Sequence, residues 1–194
     1  MRDKYKLSNT RITKIAGICG ILIPIVVFIF VGLAMTHSPW FEWTEHALSD
    51  LGVDGISAIF FNSGMVIAGI LAFIFSLGLM KVLTKKIGAY ILCLSSIALI
   101  GIGLFPETIF PIHFFTSASF FILLAISLLI IGLTINKQNK FERKMGILAS
   151  FFAILAFSSA ILIIGLEGVA IPESLSCFPA FIWIMIFGVK MTFM

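Results

Sequence analysis

Charge is what this sequence has least of. Of its 194 residues only 11% are Asp, Glu, Lys or Arg, while 60% are hydrophobic. A soluble domain carries roughly 25% charge, with about half its residues apolar, and the mean hydropathy here is +1.18. A water-soluble fold would have to cover its surface with side chains that are missing. That excludes a soluble enzyme, a coiled coil, a disordered chain and a nucleic-acid module. Cysteine is scarce too: Cys19, Cys93 and Cys177 are not gathered in a loop, so no disulfide framework is implied. Each reads as a small apolar residue. The CxxC, GxGxxG and GxxxxGK[ST] motifs are absent.

What the sequence does have is long runs without charge, at 15–41, 55–80, 87–106, 108–136, 145–166 and 174–189. A bilayer core takes about 20 helical residues. All but the last run meet that length, and snorkelling of Lys190 lets the last helix reach about Thr192. Barrel strands would alternate in short segments; these runs are continuous, and helices are the other way to satisfy the backbone in lipid. The expectation is an all-α integral membrane protein. One domain over 1–194 would contain a six-transmembrane-helix bundle, with spans at about 15–35, 56–80, 87–105, 113–135, 146–166 and 174–192. Ala149-x-x-x-Ala153 and Ala156-x-x-x-Ala160 read as helix-packing surfaces.

The basic residues set the orientation. Arg2, Lys4, Lys6, Arg11 and Lys14 precede the first span, and Lys81, Lys85 and Lys86 separate the second from the third. Lys137, Lys140, Arg143 and Lys144 separate the fourth from the fifth, and Lys190 closes the sixth. All fall on one side, which the positive-inside rule makes cytoplasmic, both termini included, in the plasma membrane. Topogenesis explains this side better than phosphoinositide or nucleic-acid binding. Glu42, Glu45, Asp50, Asp54, Glu107, Glu167 and Glu173 fall opposite, with His37, His46 and His113. The first span has the basic start and the small-x-small Gly32-Leu33-Ala34 of a secretory signal, but its apolar run exceeds a signal core. It is expected to stay as an anchor.

The first outer connection carries a finer pattern. Ser38 suits a cap, Pro39 a first helical position and Gly52 the residue past an end. Trp40, Trp43, Ala47, Leu48 and Leu51 share one side at helical spacing, so a short amphipathic helix over 39–51 is predicted on the outer face. On its polar side Glu42, His46 and Asp50 are spaced i, i+4, i+8. A histidine flanked by carboxylates suits metal ligation or general-base work; it equally suits the wet side of an interfacial helix. His113 should open the fourth span, with Thr116 and Ser117 one turn deeper on its face. Asn62 lies about two turns into the second span, where an amide needs an internal partner. Packing of the second helix on the fourth would bring His46, Asp50, Asn62, Glu107 and His113 together at the outer mouth.

These residues carry a resemblance. His46-Ala47-Leu48-Ser49-Asp50-Leu51-Gly52, then Ile59-Phe60-Phe61-Asn62, then Phe105-Pro106-Glu107 followed by His113, resemble a prokaryotic multipass family known as domain of unknown function 998. The resemblance runs from the first span into the fifth. The chain is more distantly similar to the Frag1/DRAM/Sfk1 group of six-span membrane proteins, which implies lipid handling. Neither resemblance implies a reaction.

Three functions fit the sequence. The first is a non-catalytic module that binds membrane lipids or the helices of a membrane-protein partner or second copy. The second is a lipid hydrolase or transferase of the outer leaflet. There His46, Asp50, Glu107 and His113 would be catalytic, and Glu42, Ser49 and Asn62 would bind or orient. His46, Asp50 and His113 would also suit a divalent metal such as zinc. The third, a small-solute transporter, is disfavoured because every ionisable residue lies at a span boundary. The first is the expectation.

Overall fold

The computed structural model describes residues 2–135 and 139–194, with side chains from Thr10 onward. Lys137 therefore falls outside the described residues. The helices are α1 (Arg2–Thr36), α2 (Gly55–Val82), α3 (Ile87–Leu104), α4 (Ile112–Thr134), α5 (Lys140–Ser159) and α6 (Ala170–Thr192). Two 3-10 helices, Leu48–Gly52 and Ala160–Ile164, complete the regular structure among the described residues. All six α-helical segments are long and apolar enough to cross a membrane, as expected. Each is internally hydrogen-bonded, as hydrocarbon requires.

Every helix packs on the next, and α6 closes the ring on α1. This alternation gives the bundle two ends of opposite character. Lys81, Lys85, Lys86, Lys140, Arg143, Lys144 and Lys190 lie at one end with the start of α1; the acids of the 37–54, 105–111 and 165–169 connections lie at the other. We call these the basic and acidic ends.

The interior is filled by Ile23, Phe75, Leu79, Leu92, Leu128, Trp183 and Phe187. Polar groups inside it bond across helices: Trp183 Nε1 donates to the Met145 carbonyl at 2.8 Å, and Ser127 Oγ to that of Gly88 at 2.8 Å. Such bonds contribute about 0.6–2 kcal/mol each in a membrane. Small residues let backbones touch. A Cβ on Gly17 would lie 2.6 Å from the Gly188 carbonyl oxygen, so α1 and α6 pack main chain to main chain. Ala149, Ala153 and Ala156 on α5 are buried as the sequence predicts, but Ala160 is exposed. The packing stripe stops one turn short. α5 joins α4 to α6, and α4 and α6 also touch each other directly.

The helix predicted over 39–51 is present only as the 3-10 helix Leu48–Gly52; residues 39–47 form turns. A continuous helix would aim the Thr44 and His46 carbonyls at the amides of Leu48 and Asp50. Instead Thr44 accepts from the Gly168 amide at 2.8 Å, and His46 from Val169 and Ala170 at 3.1 and 2.9 Å. The connection between α5 and α6 has taken those acceptors. Gly168 permits the approach, because a Cβ there would meet the backbone of Glu45 and His46. Tertiary hydrogen bonds override an amphipathic pattern in a segment too short to hold a helix alone. Leu48 and Leu51 turn into the core, and the 3-10 helix lids the acidic end instead of lying in the interface.

Candidate functional site

The lid is fastened by side chains at its start and end. Asp50 Oδ2 accepts from the Ala47 amide at 2.8 Å, and Glu173 Oε2, from the first turn of α6, accepts from the Leu48 amide at 2.8 Å. Asn62 Nδ2 donates to the Gly52 carbonyl at 2.9 Å, and Asp54 caps α2 through the Gly55 amide at 2.7 Å. Gly55 sits at φ +69°, the left-handed region in which glycine is favoured. Asn62 Nδ2 thus finds an internal partner and ties the lid to α2, while its Oδ1 is buried without one.

At the edge of the lid Ser49 and Asp50 meet the exposed Glu107 of the 105–111 connection. Ser49 Oγ donates to Glu107 Oε2 at 3.3 Å, and the Asp50 carboxyl lies beside Glu107. The Glu107 pKa accordingly stands above its ordinary 4.5, first through loss of solvent around the carboxyl, then through the hydrogen bond and charge of Asp50. His113 and the Ser49 hydroxyl offset part of that rise.

His113 opens α4 as expected and is buried. Its Nδ1 lies 2.7 Å from the Phe105 carbonyl oxygen, and its Nε2 3.1 Å from Ser117 Oγ. Thr116, also predicted on this face, returns its hydroxyl to the His113 carbonyl at 2.8 Å.

Two spaces adjoin Ser49, Ser117 and Glu173. A central cavity of about 50 Å³ is walled by α1, α2, α3, α4, α6 and the lid, with Ser49, Ser117, Glu173 and Cys177 its polar lining. A second, of about 340 Å³, is a groove between α4, α5 and α6, falling within the range of small-molecule sites. Phe114, Ile122, Phe157 and Ile163 line its exposed edges, and Ser159, Ser176 and Glu173 lie inside it. Ser117, Phe121 and Glu173 line both spaces and so form the partition between them.

The structure therefore brings Ser49, Asp50 and Glu107 together, with His113 near Glu107. It does not bring in the others. Glu42 is exposed, and its amide donates to His46 Nδ1 at 3.1 Å. The His46 ring packs on Trp40 and Phe41, at 5.0 and 5.9 Å between centroids. Without a helix through 42–47, the Glu42–His46–Asp50 row is not formed. No group of three or more His, Cys, Asp and Glu side chains is placed to hold a metal ion among the described residues, so His46, Asp50 and His113 do not assemble as a ligand set. Nor does α2 pack on α4, the arrangement that would have gathered them: it packs chiefly on α1 and α3, and Ser49 of the lid reaches Glu107 instead. Three residues gain a place that the sequence did not give them. Glu173 was legible as a loop acid after Pro172, Ser117 as the neighbour of His113, and Ser176 only as a serine in an apolar run.

Fold and site together define a multipass membrane protein with a lidded acidic end. Residues 18–190 match the family described as "Protein of unknown function (DUF998)", and the chain belongs to that family. No curated protein and no solved structure matches it. None of these matches is to the Frag1/DRAM/Sfk1 group.

Proposed function

We propose that the protein is a lipid-binding module that takes one acyl chain of a membrane lipid into the groove between α4, α5 and α6. The basic end faces the cytoplasm of the cell membrane by the positive-inside rule, so the lipid comes from the outer leaflet. One observation carries this reading: the groove lies between membrane-spanning segments, edged by exposed apolar side chains and closed at its inner wall by Glu173 and Ser117. Hydrocarbon is what surrounds such an opening in a bilayer. An acyl chain fills the apolar part, and the serines and Glu173 supply the few polar contacts that orient a ligand in an otherwise apolar site.

Native mass spectrometry of the protein released from nanodiscs tests this. Wild type should retain lipid. Ala118→Phe and Ala160→Phe, which fill the groove from α4 and from the end of α5, should retain about tenfold less at an unchanged melting temperature. Equal retention in folded wild type and both variants would sink the proposal.

A further inference from the structure

The hydroxyl of Ser117 differs from its neighbours. Ser76, Ser96 and Thr116 bond to backbone carbonyls of the preceding turn, at 2.7, 2.6 and 2.8 Å, which is how helical hydroxyls are usually silenced. Ser117 instead faces a histidine nitrogen. The state of that nitrogen follows from geometry. A carbonyl oxygen only accepts, so the 2.7 Å contact with Phe105 places the imidazole proton on Nδ1. In the neutral ring Nε2 is then a bare acceptor, and the Ser117 hydroxyl, at 3.1 Å, donates to it. This is a hydroxyl poised on a base whose tautomer is held by a third group. Cys177, which also lines the cavity, has no such base; its thiol meets the Ser174 carbonyl at 4.0 Å.

We infer that Ser117 is a nucleophile, with His113 its general base, for hydrolysis of the carboxylic ester of a lipid whose acyl chain lies in the groove. The inference rests on the lipid-binding reading above. Ser117 lines the groove and the cavity at once, so a chain in the groove brings its ester end to this partition. Five residues into α4, Ser117 stands about 7 Å below the start of that helix, close to the depth at which headgroups give way to hydrocarbon.

In the first step Ser117 Oγ bonds to the ester carbonyl carbon as its proton passes to His113 Nε2. The bond from that carbon to the alcohol oxygen then breaks, and His113 gives the proton to the departing alkoxide. The products are acyl-Ser117 and a free alcohol. Water next attacks the acyl carbon, losing a proton to His113, which returns it to Ser117 Oγ as the carboxylic acid leaves. Nothing is oxidised or reduced.

Wild type in nanodiscs of a defined phosphatidylglycerol is treated with a fluorophosphonate, which phosphonylates activated serines. The expected result is an adduct on Ser117, mapped by peptide mass spectrometry, absent in Ser117→Ala and formed at least about tenfold more slowly in His113→Gln. Ser117→Cys provides a check that does not depend on the His113 variant folding: its new thiol should alkylate faster than Cys93 in the same protein. Retained lipid without an adduct on wild-type Ser117, or an introduced thiol no faster than Cys93, overturns this inference and leaves the groove reading standing. Absence of retained lipid overturns the groove reading, and with it the substrate class assigned here.

Discussion

The two ends of α4, α5 and α6 are built on opposite plans. At the basic end, Gly132 and Gly146 let α4 and α5 touch; a Cβ on Gly132 would lie 2.7 Å from the Gly146 carbonyl oxygen. At the acidic end the same helices part. α5 gives up its α-helical form at Ala160, and Ile161, Leu162, Ile163 and Ile164 are all exposed. There Ser176 joins α6 to α5 through contacts of 2.8 Å with Ser159 Oγ and 3.5 Å with the Ala156 carbonyl. Close backbone packing makes one end rigid. Individual hydrogen bonds make the other end separable, and the groove is the space that results.

Bulk at the tight end should have the largest effect. Gly132→Leu drives a side chain into Gly146 and Ser150, and overpacking of this kind costs about 1–3 kcal/mol or more. Gly165→Leu, at a position with open space around it, should stay within about 0.5 kcal/mol of wild type. Thermal unfolding in detergent measures both, and equal losses would erase the contrast. Next comes Gly168→Val, which should push the α5–α6 connection off Thr44 and His46 at a cost of about 1–3 kcal/mol. Amide exchange should rise in 44–52 while the basic end stays protected. Ser176→Ala removes the Ser159 partner and should cost about 0.6–2 kcal/mol, with faster exchange confined to the end of α5.

The smallest effect is one of pH. The Glu107 pKa is raised in the folded state, so its contribution to stability is fully present below the ordinary value of 4.5 and is lost as pH rises through the folded value. Above that point Glu107 gains a charge beside Asp50, and the lid should open more readily. Protection factors of the 48–52 amides, corrected for the pH dependence of intrinsic exchange, should therefore be lower at neutral pH than in mild acid. Glu107→Gln should flatten that dependence. A lid equally protected across the range in wild type would remove Glu107 from its fastening.

The division into six spans was legible because uncharged runs of bilayer length leave the chain few alternatives. Their edges were less so. α6 starts at Ala170, not near 174, because Glu173 is not a loop acid; its carboxylate is held by the Leu48 amide inside the first turn. No periodicity within 170–192 reveals a partner 125 residues away. The misjudged 39–51 segment has the same cause, since its carbonyls bond to the α5–α6 connection. Of the candidate site, the association of Asp50, Ser49 and Glu107 with His113 could be anticipated from their shared end of the bundle. The separation of His46 and the pairing of Ser117 with His113 Nε2 depend on side-chain directions that spacing does not fix.

The shortness of α3 has a consequence for the surrounding bilayer. At 18 residues it is about 27 Å long, less than a typical hydrocarbon thickness of about 30 Å. The neighbouring α2, at 28 residues, is about 42 Å long. Lipids beside α3 must compress or the helix must stand upright while α2 tilts. The annulus is then thinnest next to the 105–111 connection, where Phe105 and His113 meet. Such a dimple brings headgroups and water down toward that connection.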